Sequence, residues 1–393
     1  MLDDKIRSAT LEVLKAYADE SDQGAWQIAY SGGKDSSVNA SVIFRAVAMI
    51  SPAKRTRKLY LVTSSTGVDF TTEPTKLREL DKMQQYINDS GLPVEIVKVQ
   101  PLPQDSFPFL VLGLGYPLPK TKRNRWCTTR MKLKPQQAAK KYTKATRDAL
   151  GVRLSESTSR RESIEQHQAD GEHYHGDNGE IYPIIDFTLD DIWSYSAKHG
   201  YAWGDAEEVS NLYKDATGEC GLRKKKAGAD EKTDDPCGAR FGCVVCPVVT
   251  IDKSTQQMAK THPYFQPFVE LRNLMIEMYK QPKNRAGKRR NGQEMKYGQG
   301  TFTVKARMEL YKHFLKAEED HRYLCLLHGV EPQSMFTDQI MDMIRAQWEK
   351  DLRDKPYLED APKLDLFYAE IDGKDGWQMT INTDHESLYK VSR

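Results

Sequence analysis

Long apolar runs are missing from this sequence. No stretch approaches the ~20 residues that a membrane-crossing helix requires, so no spanning helix is expected. The opening residues, Met1 to Lys5, are charged and lack the apolar region of a secretory signal, which makes the cytoplasm the expected location. Cysteine is scarce, six in 393 residues, and four of the six fall between residues 220 and 246. That crowding is unlike a secreted disulfide framework and, in a reducing compartment, points to metal or sulfur chemistry. Net charge is nearly absent as well: 58 Lys and Arg against 56 Asp and Glu leave +2. The total says little about partners, because the basic residues are clustered rather than dispersed. A chain of this length can bury a full core and suggests two or three domains.

A Walker A loop is also lacking, since none of the glycine-lysine pairs follows Gly-x-x-x-x-Gly-Lys-Ser/Thr. What stands in its place is Trp26-Gln-Ile-Ala-Tyr-Ser-Gly-Gly-Lys-Asp-Ser-Ser37. The apolar run Ile28 to Tyr30 ends at Ser31-Gly32-Gly33, and a helical pattern follows with Val38, Val42, Ala46 and Met49 on one face. Adjacent glycines allow a left-handed turn and close approach of a ligand. The unpaired N–H groups and positive dipole end of the following helix make an anion site. Lys34 adds a charge, while Ser31, Ser36 and Ser37 add hydroxyls.

Residues 3 to 19 predict an amphipathic helix with Leu11, Leu14 and Ala18 on one side. Leu59 to Thr63 predicts a strand, followed by the polar loop Ser64-Ser-Thr66-Gly67-Val-Asp69. A helix is expected from Glu73, with Leu77, Leu80 and Ile87 in step, then a strand from Val94 to Val99. Such alternation argues for an α/β fold with a doubly wound, mostly parallel sheet. Ligands in such sheets sit beyond the carboxyl ends of the strands, where the Ser31 and Thr66 loops lie. ATP's phosphates are expected at the first loop and its nucleoside near the second. Pro101 to Pro119 reads as a long functional loop. A helix follows from Pro135, then a strand from Ala149 to Leu154 whose rim carries Arg153, Glu156, Arg160 and Arg161, a set able to clamp phosphate or sulfate. His173 and His175 sit in a polar stretch read as a loop. Thr188 and Asp191 have capping-box spacing.

Seven of the fifteen residues from Lys120 to Lys134 are basic, with Cys127 among them. Cations around a thiol stabilise its thiolate and make it reactive. Cys220, Cys237, Cys243 and Cys246 surround a second basic run, Arg223 to Lys226. Four thiolates from one segment suit tetrahedral zinc or an iron–sulfur cluster, and spacing alone does not choose. Helices are expected over 262–280 and 301–319, the second with Ala306, Leu310 and Phe314 in register. Between them lies a third basic stretch, Lys283 to Gly292, read as a linker. Three basic segments in a nearly neutral chain favour a polyanion larger than ATP as partner. Cys325 is expected in the core, and residues 364 to 391 as short strands.

With these residues in view, the chain resembles the phosphoadenylyl-sulfate reductase superfamily of ATP-pyrophosphatase-fold proteins. The resemblance is carried by Ser31 to Ser36, Thr66-Gly67 with Glu73-Pro74, Arg125-Trp126-Cys127, and Gly151-x-Arg153-x-x-Glu156-Ser157-x-x-Arg160. The segment Cys237-Gly-Ala-Arg-Phe-Gly-Cys243-Val-Val-Cys246 is similar to that of DndC-like sulfurtransferases of DNA phosphorothioation, with the single-strand SspD branch beside them. The reductases often carry a cysteine pair where this chain has Cys127-Thr128.

The resemblance implies an adenine nucleotide alpha hydrolase-like fold, with a cysteine-rich metal-binding insertion and a largely helical C-terminal part. Its implied domains are 1–200 (ATP pyrophosphatase), 201–260 (iron–sulfur segment) and 261–393 (helical region with the basic linker and a β tail). It implies hydrolysis of ATP to AMP and pyrophosphate with Mg²⁺, a [4Fe–4S] cluster or alternatively Zn²⁺ on Cys220, Cys237, Cys243 and Cys246, and sulfur transfer to a DNA backbone phosphate. Ser31, Gly32, Gly33, Lys34, Asp35, Ser36, Thr66 and Gly67 would bind the nucleotide. Lys34, Asp35, Cys127, Arg153 and Glu156 would carry the chemistry. Partners would be DNA, a cysteine desulfurase as sulfur donor and other phosphorothioation proteins of the DndD, DndE or Ssp type. An adenylyl-sulfate reductase-like enzyme and a tRNA-thiolating enzyme are the competing readings. The first would release sulfite without DNA, and the second would require tRNA.

Overall fold

The computed structural model describes residues 1–119, 125–168, 172–217 and 241–361, without the side chains of 159 and 160, and the backbone of 363–371, 374–382 and 388–389. Two compact units emerge. The first comprises Met1–Pro101, Thr128–Val244 and Ile251–Pro263; the second comprises Leu102–Cys127, Val245–Thr250 and Tyr264–Arg393. No helix among the described residues is long and apolar enough to cross a membrane.

The first unit is built on a five-stranded parallel sheet. Its strands are β1 (Trp26–Tyr30), β2 (Leu59–Ser64), β3 (Val94–Val99), β4 (Arg147–Ala149) and β5 (Glu180–Ile181), in spatial order β3-β2-β1-β4-β5. Ile28 sits at the centre, in register with Leu61 on one side and Ala149 on the other. Helices flank the sheet: α1 (Leu2–Ala18), α2 (Lys34–Ala48), α3 (Glu73–Ser90), α4 (Lys134–Thr143), α5 (Thr158–Gln166), α6 (Leu189–His199), α7 (Glu207–Thr217) and α8 (Lys253–Thr261). The parallel α/β architecture expected from the alternation is the one observed. Strand order reverses at β1, so the loops that leave β1 and β4 diverge and open a crevice at the switch point.

Several local expectations need correction. The buried face of α1 is Ala9, Val13, Ala16 and Tyr17, whereas Leu11 is 48% exposed and Ala18 also faces water. Tyr17 sets that rotation, because its hydroxyl donates to the Arg57 carbonyl at 3.0 Å and its ring meets Trp26 edge-on. Helix α2 is buried nearly all round instead of along one stripe, and Met49 lies just past its end, 72% exposed. Leu77 of α3 is likewise turned outward, while Leu80, Met83 and Ile87 are buried. Strand β4 begins two residues before the expected strand and stops at Ala149. Its outer neighbour β5 has only two residues, so beyond Ala149 only scattered bonds remain, such as Leu154 N–H to the Ile185 carbonyl at 3.0 Å. The capping box at Thr188 and Asp191 is formed as expected, at the start of α6.

In the second unit the stretch read as a long loop is ordered. Pro103–Asp105 forms a 3-10 turn and Phe109–Gly113 a π-helical turn, with Phe107, Leu110, Val111 and Leu112 buried. Its apolar run fills a core whose other walls are α9 (Gln266–Lys280), α10 (Val304–Leu327) and α11 (Asp338–Asp354), and Trp348 donates its indole N–H to the Leu112 carbonyl at 2.7 Å. Ala306, Leu310 and Phe314 are buried in α10 as the spacing predicts, and so is Cys325.

The basic stretch read as a linker is also ordered. Antiparallel bridges join Arg285 to Phe302 and Lys288 to Glu294, and Arg285 is buried. Arg290 grips Asp351 with two bonds of 2.7 Å, and Arg307 reaches the same carboxylate at 2.8 Å. The stretch is therefore held in place and is not a flexible linker. Arg290 and Arg307 join the loop to α10 and α11. The expected tail strands are present as an antiparallel sheet of β6 (Lys363–Ile371), β7 (Lys374–Asn382) and β8 (Leu388–Tyr389).

Candidate active site

The loop after β1 turns at Gly32, whose φ of +79° a side chain would strain. A Cβ there would also stand 2.9 Å from the Cβ and Cγ of Lys76. Hydroxyls lock the turn: Ser31 Oγ and Ser36 Oγ are 3.0 Å apart, and Ser36 Oγ donates to the Gly33 carbonyl at 2.9 Å. Gly33 is the N-cap of α2 and supplies no side-chain cap. The N–H groups of the first turn, at the positive end of the helix dipole, are thus left for an external acceptor.

The loop after β2 is fixed differently. Thr66 donates its N–H to Asp69 Oδ2 at 2.8 Å, and Gly67 turns at φ +73°. The two loops and the end of β4 enclose a cavity of about 440 Å³. Ser31, Gly32, Gly33 and Ser36 line one side, Thr66, Asp69 and Lys76 another, and Leu150 to Val152 a third. Gly151 is needed where it lies, since a Cβ would come within 3.1 Å of the Asp35 carbonyl oxygen and of Asn39 Cβ. Tyr213 of α7 closes a further wall with Phe241 and Gly242, and Lys132 adds an exposed ammonium at the edge. Burial pushes the Tyr30 phenol in the lining well above its usual range, so it stays neutral.

Three of the residues expected to carry the chemistry come together as an ion-pair chain. Lys34 Nζ lies 3.0 Å from Asp35 Oδ2 and sits over the Tyr213 ring at 5.0 Å. Asp35 Oδ1 accepts from Arg153 Nε at 2.6 Å, and Arg153 also donates to Ser155 Oγ at 2.9 Å. Arg153 is 4% exposed. Its guanidinium therefore joins the β4 end to the start of α2. Glu156 is exposed just beyond, its N–H donating to the Arg153 carbonyl at 3.2 Å. The side chain of Arg160 lies outside those described.

The cysteines are divided. Cys220 and Cys237 lie outside the described residues. Cys243, half-buried, docks on the second loop: its Sγ is 3.6 Å from Thr66 Oγ1 and donates to Asp69 Oδ1 at 3.7 Å. The next residue, Val244, is fully buried and donates its N–H to the Val68 carbonyl at 2.9 Å. Cys246 belongs to the second unit, where the buried Arg272 donates to its carbonyl at 2.7 Å and also to the carbonyl of Val249. Cys127 is half-buried in that same unit and forms no disulfide. Among the described residues no three His, Cys, Asp or Glu side chains are grouped to hold a metal ion. His173 instead pairs with Asp186 at 2.8 Å and His175 lies 3.9 Å from Glu172.

Lys76, Lys132 and Tyr213 are parts of the lining that the sequence did not single out. Asp69 ends the second loop already expected at the rim, and Lys76 stands close to it. Tyr213 could have been found from α7, where Val209, Leu212, Tyr213 and Ala216 follow helical spacing and are buried.

A family model, the phosphoadenosine phosphosulfate reductase domain, matches residues 26–248, from β1 through Cys246. Among solved structures, the crystal structure of Candida glabrata FMN adenylyltransferase in complex with FMN and the ATP analog AMPCPP shows a slight likeness. It covers 59% of this chain and 72% of that one, at 14% identity and a TM-score of 0.31, too low to carry any argument. No curated protein matches the chain. The family match spans more than half of the chain and includes both loops, the β4 end and the Cys-x-x-Cys pair. The chain belongs to the phosphoadenosine phosphosulfate reductase domain family.

Proposed function

We propose that the chain is an ATP pyrophosphatase coupled to sulfur transfer, of the DndC-like kind, acting on a DNA backbone phosphate. One observation carries this reading. The cavity lined by the glycine turn and the open N-terminus of α2 is also lined by Phe241 and Gly242, and the thiol of Cys243 rests on Thr66 and Asp69 of the same lining. A phosphate cradle and a cysteine segment are thereby parts of one site. A kinase or GTPase has no use for the second part. The DNA acceptor is supported by the basic segments and by the resemblance of residues 237–246.

A phosphodiester oxygen leaves poorly, so replacing it with sulfur requires prior activation. The DNA phosphate oxygen attacks the α-phosphorus of ATP, a P–O bond forms, and the bond to pyrophosphate breaks. The N–H groups of the first turn of α2, with the charge of Lys34 beside them, stabilise the oxygens of the departing pyrophosphate. Arg153, through Asp35, keeps that turn in place. Mg²⁺ would neutralise phosphate charge. Asp69 in the lining is a carboxylate able to hold it, and a single protein carboxylate suffices when phosphates supply the remaining ligands.

A sulfur nucleophile then attacks the activated DNA phosphorus and expels AMP. A partner desulfurase would load it as a persulfide on Cys127. Attack by the terminal sulfur leaves a P–S–S–Cys link, and a second thiol reduces that S–S bond to release the phosphorothioate. We assign Cys220, Cys237, Cys243 and Cys246 as ligands of an iron–sulfur cluster, with zinc as the alternative. Of the four, Cys243 and Cys246 are half-buried thiols three residues apart, the soft donors that such a cluster takes.

Lys34→Ala should lower release of AMP and pyrophosphate by roughly 100-fold or more, as loss of one preorganised charge-stabilising group does, with the visible absorption of the purified protein unchanged. Unaltered release in that variant sinks the loop's role. Mass analysis of nuclease-digested DNA from cells with and without the gene tests the acceptor. Sulfur-containing dinucleotides are expected only with the gene, and their absence from both samples removes DNA from the reading.

A further inference from the structure

The second unit has a cavity of its own, about 730 Å³, whose lining includes three rings and four cations. Trp126 and Tyr116 form one wall. Trp126 is half-buried and cannot swing freely, since its indole N–H donates to the Pro117 carbonyl at 2.9 Å and its ring stacks on Phe107 at 5.9 Å. Tyr116 meets it edge-on at 5.6 Å. Arg285 forms the floor, 2% exposed, with its guanidinium 3.8 Å over the Tyr279 ring. It donates to the carbonyls of Tyr279 and Gly300, which with the Tyr279 ring fix a positive charge in the floor.

Two further cations stand at the rim. Lys280 is the exposed last residue of α9, and the exposed Arg289 bonds only a neutral partner, Gln293 Oε1 at 2.9 Å. Neither is ion-paired among the described residues. Arg290 also lines the cavity, but its guanidinium is held by Asp351 and so belongs to the frame. Fixed rings beside unpaired cations match one chemistry, a planar base next to a phosphate. Stacking accepts any base, while the cations track the backbone.

We propose that this cavity binds a nucleotide unit of a single-stranded nucleic acid, with the base against Trp126 and Tyr116 and the flanking phosphates on Lys280 and Arg289. Binding itself does not depend on the sulfur chemistry. The proposal rests on the proposed function only for the fate of the strand. A free mononucleotide offers the same base and phosphate, so the test must separate the two sources.

The full-length protein is titrated against a fluorescently labelled single-stranded oligonucleotide over a range of salt, with unlabelled AMP and inorganic polyphosphate as competitors. The Lys280→Ala/Arg289→Ala double variant removes two exposed side chains and is expected to fold. It should flatten the slope of log affinity against log salt by about 1.4, at about 0.7 for each single-strand phosphate contact. Trp126→Ala should weaken binding by roughly fivefold to 150-fold, the fold equivalent of losing one stacked base. Trp126→Phe keeps a ring and should recover most of that loss, which separates stacking from a folding defect. If AMP competes at concentrations comparable to the oligonucleotide's, the source is a mononucleotide. If it does not, the source is a strand. Unchanged affinity and salt slope in the double variant overturn the proposal, as does polyphosphate competing as well as the oligonucleotide. Lys34→Ala should bind the strand normally, so a failed reaction with intact binding counts against the proposed function and not against this site.

Discussion

The cavity of the first unit is lined by a glycine turn and hydroxyls together with Asp69, Lys76 and Tyr213, whereas that of the second sets guanidinium groups beside the rings of Trp126, Tyr116 and Tyr279. The first can recognise phosphate through N–H groups fixed by a helix N-terminus, which demands one geometry of its ligand. The second holds its cations on side chains, as the proposed binding of a strand of any sequence requires. Their frames differ in the same way. Around the first cavity, position is set by backbone conformation at Gly32 and by the close approach of Gly151 to α2, with one ion pair, Arg153 to Asp35, joining the β4 end to the start of α2. Around the second, position is set by charge: Asp351, 1% exposed, is shared by Arg290 and Arg307, and these arginines also reach the carbonyls of Leu114 and Gly113.

The largest effect expected from breaking this contrast is at Asp351. Asp351→Asn leaves Arg307, fully buried, without its counter-charge, a change that typically costs ~3–5 kcal/mol. Denaturant unfolding should register the loss. Native-state hydrogen exchange should locate it in α10, α11 and residues 113–116, with β1 to β3 spared. If protection falls equally in the sheet, the charge frame does not belong to the second unit alone.

Gly32→Ala should have a smaller effect on stability and a larger one on chemistry. A left-handed φ costs an L-residue ~1–2 kcal/mol, and the new methyl would press on Lys76. AMP release should be lost while strand binding in the second unit is kept. Full release by this variant would mean that the turn tolerates a side chain and that the glycine is not needed for phosphate approach.

How much of this contrast is legible in sequence follows from range. The turn at Ser31 to Gly33 is local, so the glycines, the following helix and the parallel sheet can be read from adjacent residues. The docking of Cys243 on Thr66 and Asp69 cannot be, because those partners are more than 170 residues apart in the chain. The ordered state of Lys283 to Gly292 was hidden for a related reason. A run of lysine and arginine is the composition of a solvated loop, and partners farther along the chain, Phe302 for Arg285 and Asp351, 61 residues beyond Arg290, turn it into a frame. Leu11 of α1 shows the same limit on a smaller scale. Apolar spacing allowed more than one buried face, and a distant carbonyl, that of Arg57, selected the one containing Tyr17.

Acid should separate the two frames by a smaller but more diagnostic amount. Burial alone would raise the Asp351 carboxyl, but hydrogen bonds from Arg290 and Arg307 outweigh it and hold it below its ordinary value of 3.8. A carboxyl lowered on folding contributes stability that is present above the ordinary value and lost as pH falls through the lowered one. The penalty of Asp351→Asn should therefore be full near pH 7 and shrink below about pH 4, by at most about 1.4 kcal/mol per pH unit. The penalty of Gly32→Ala has no titrating group behind it and should stay constant over the same range. Paired unfolding curves for the two variants against the parent chain, taken at several pH values, measure both. A Gly32→Ala penalty that shrinks in step with that of Asp351→Asn would mean that a titrating group acts at the Gly32 turn itself, beyond the Arg153–Asp35 pair at the start of α2, and the distinction between a turn fixed by backbone conformation and a loop fixed by charge would fall.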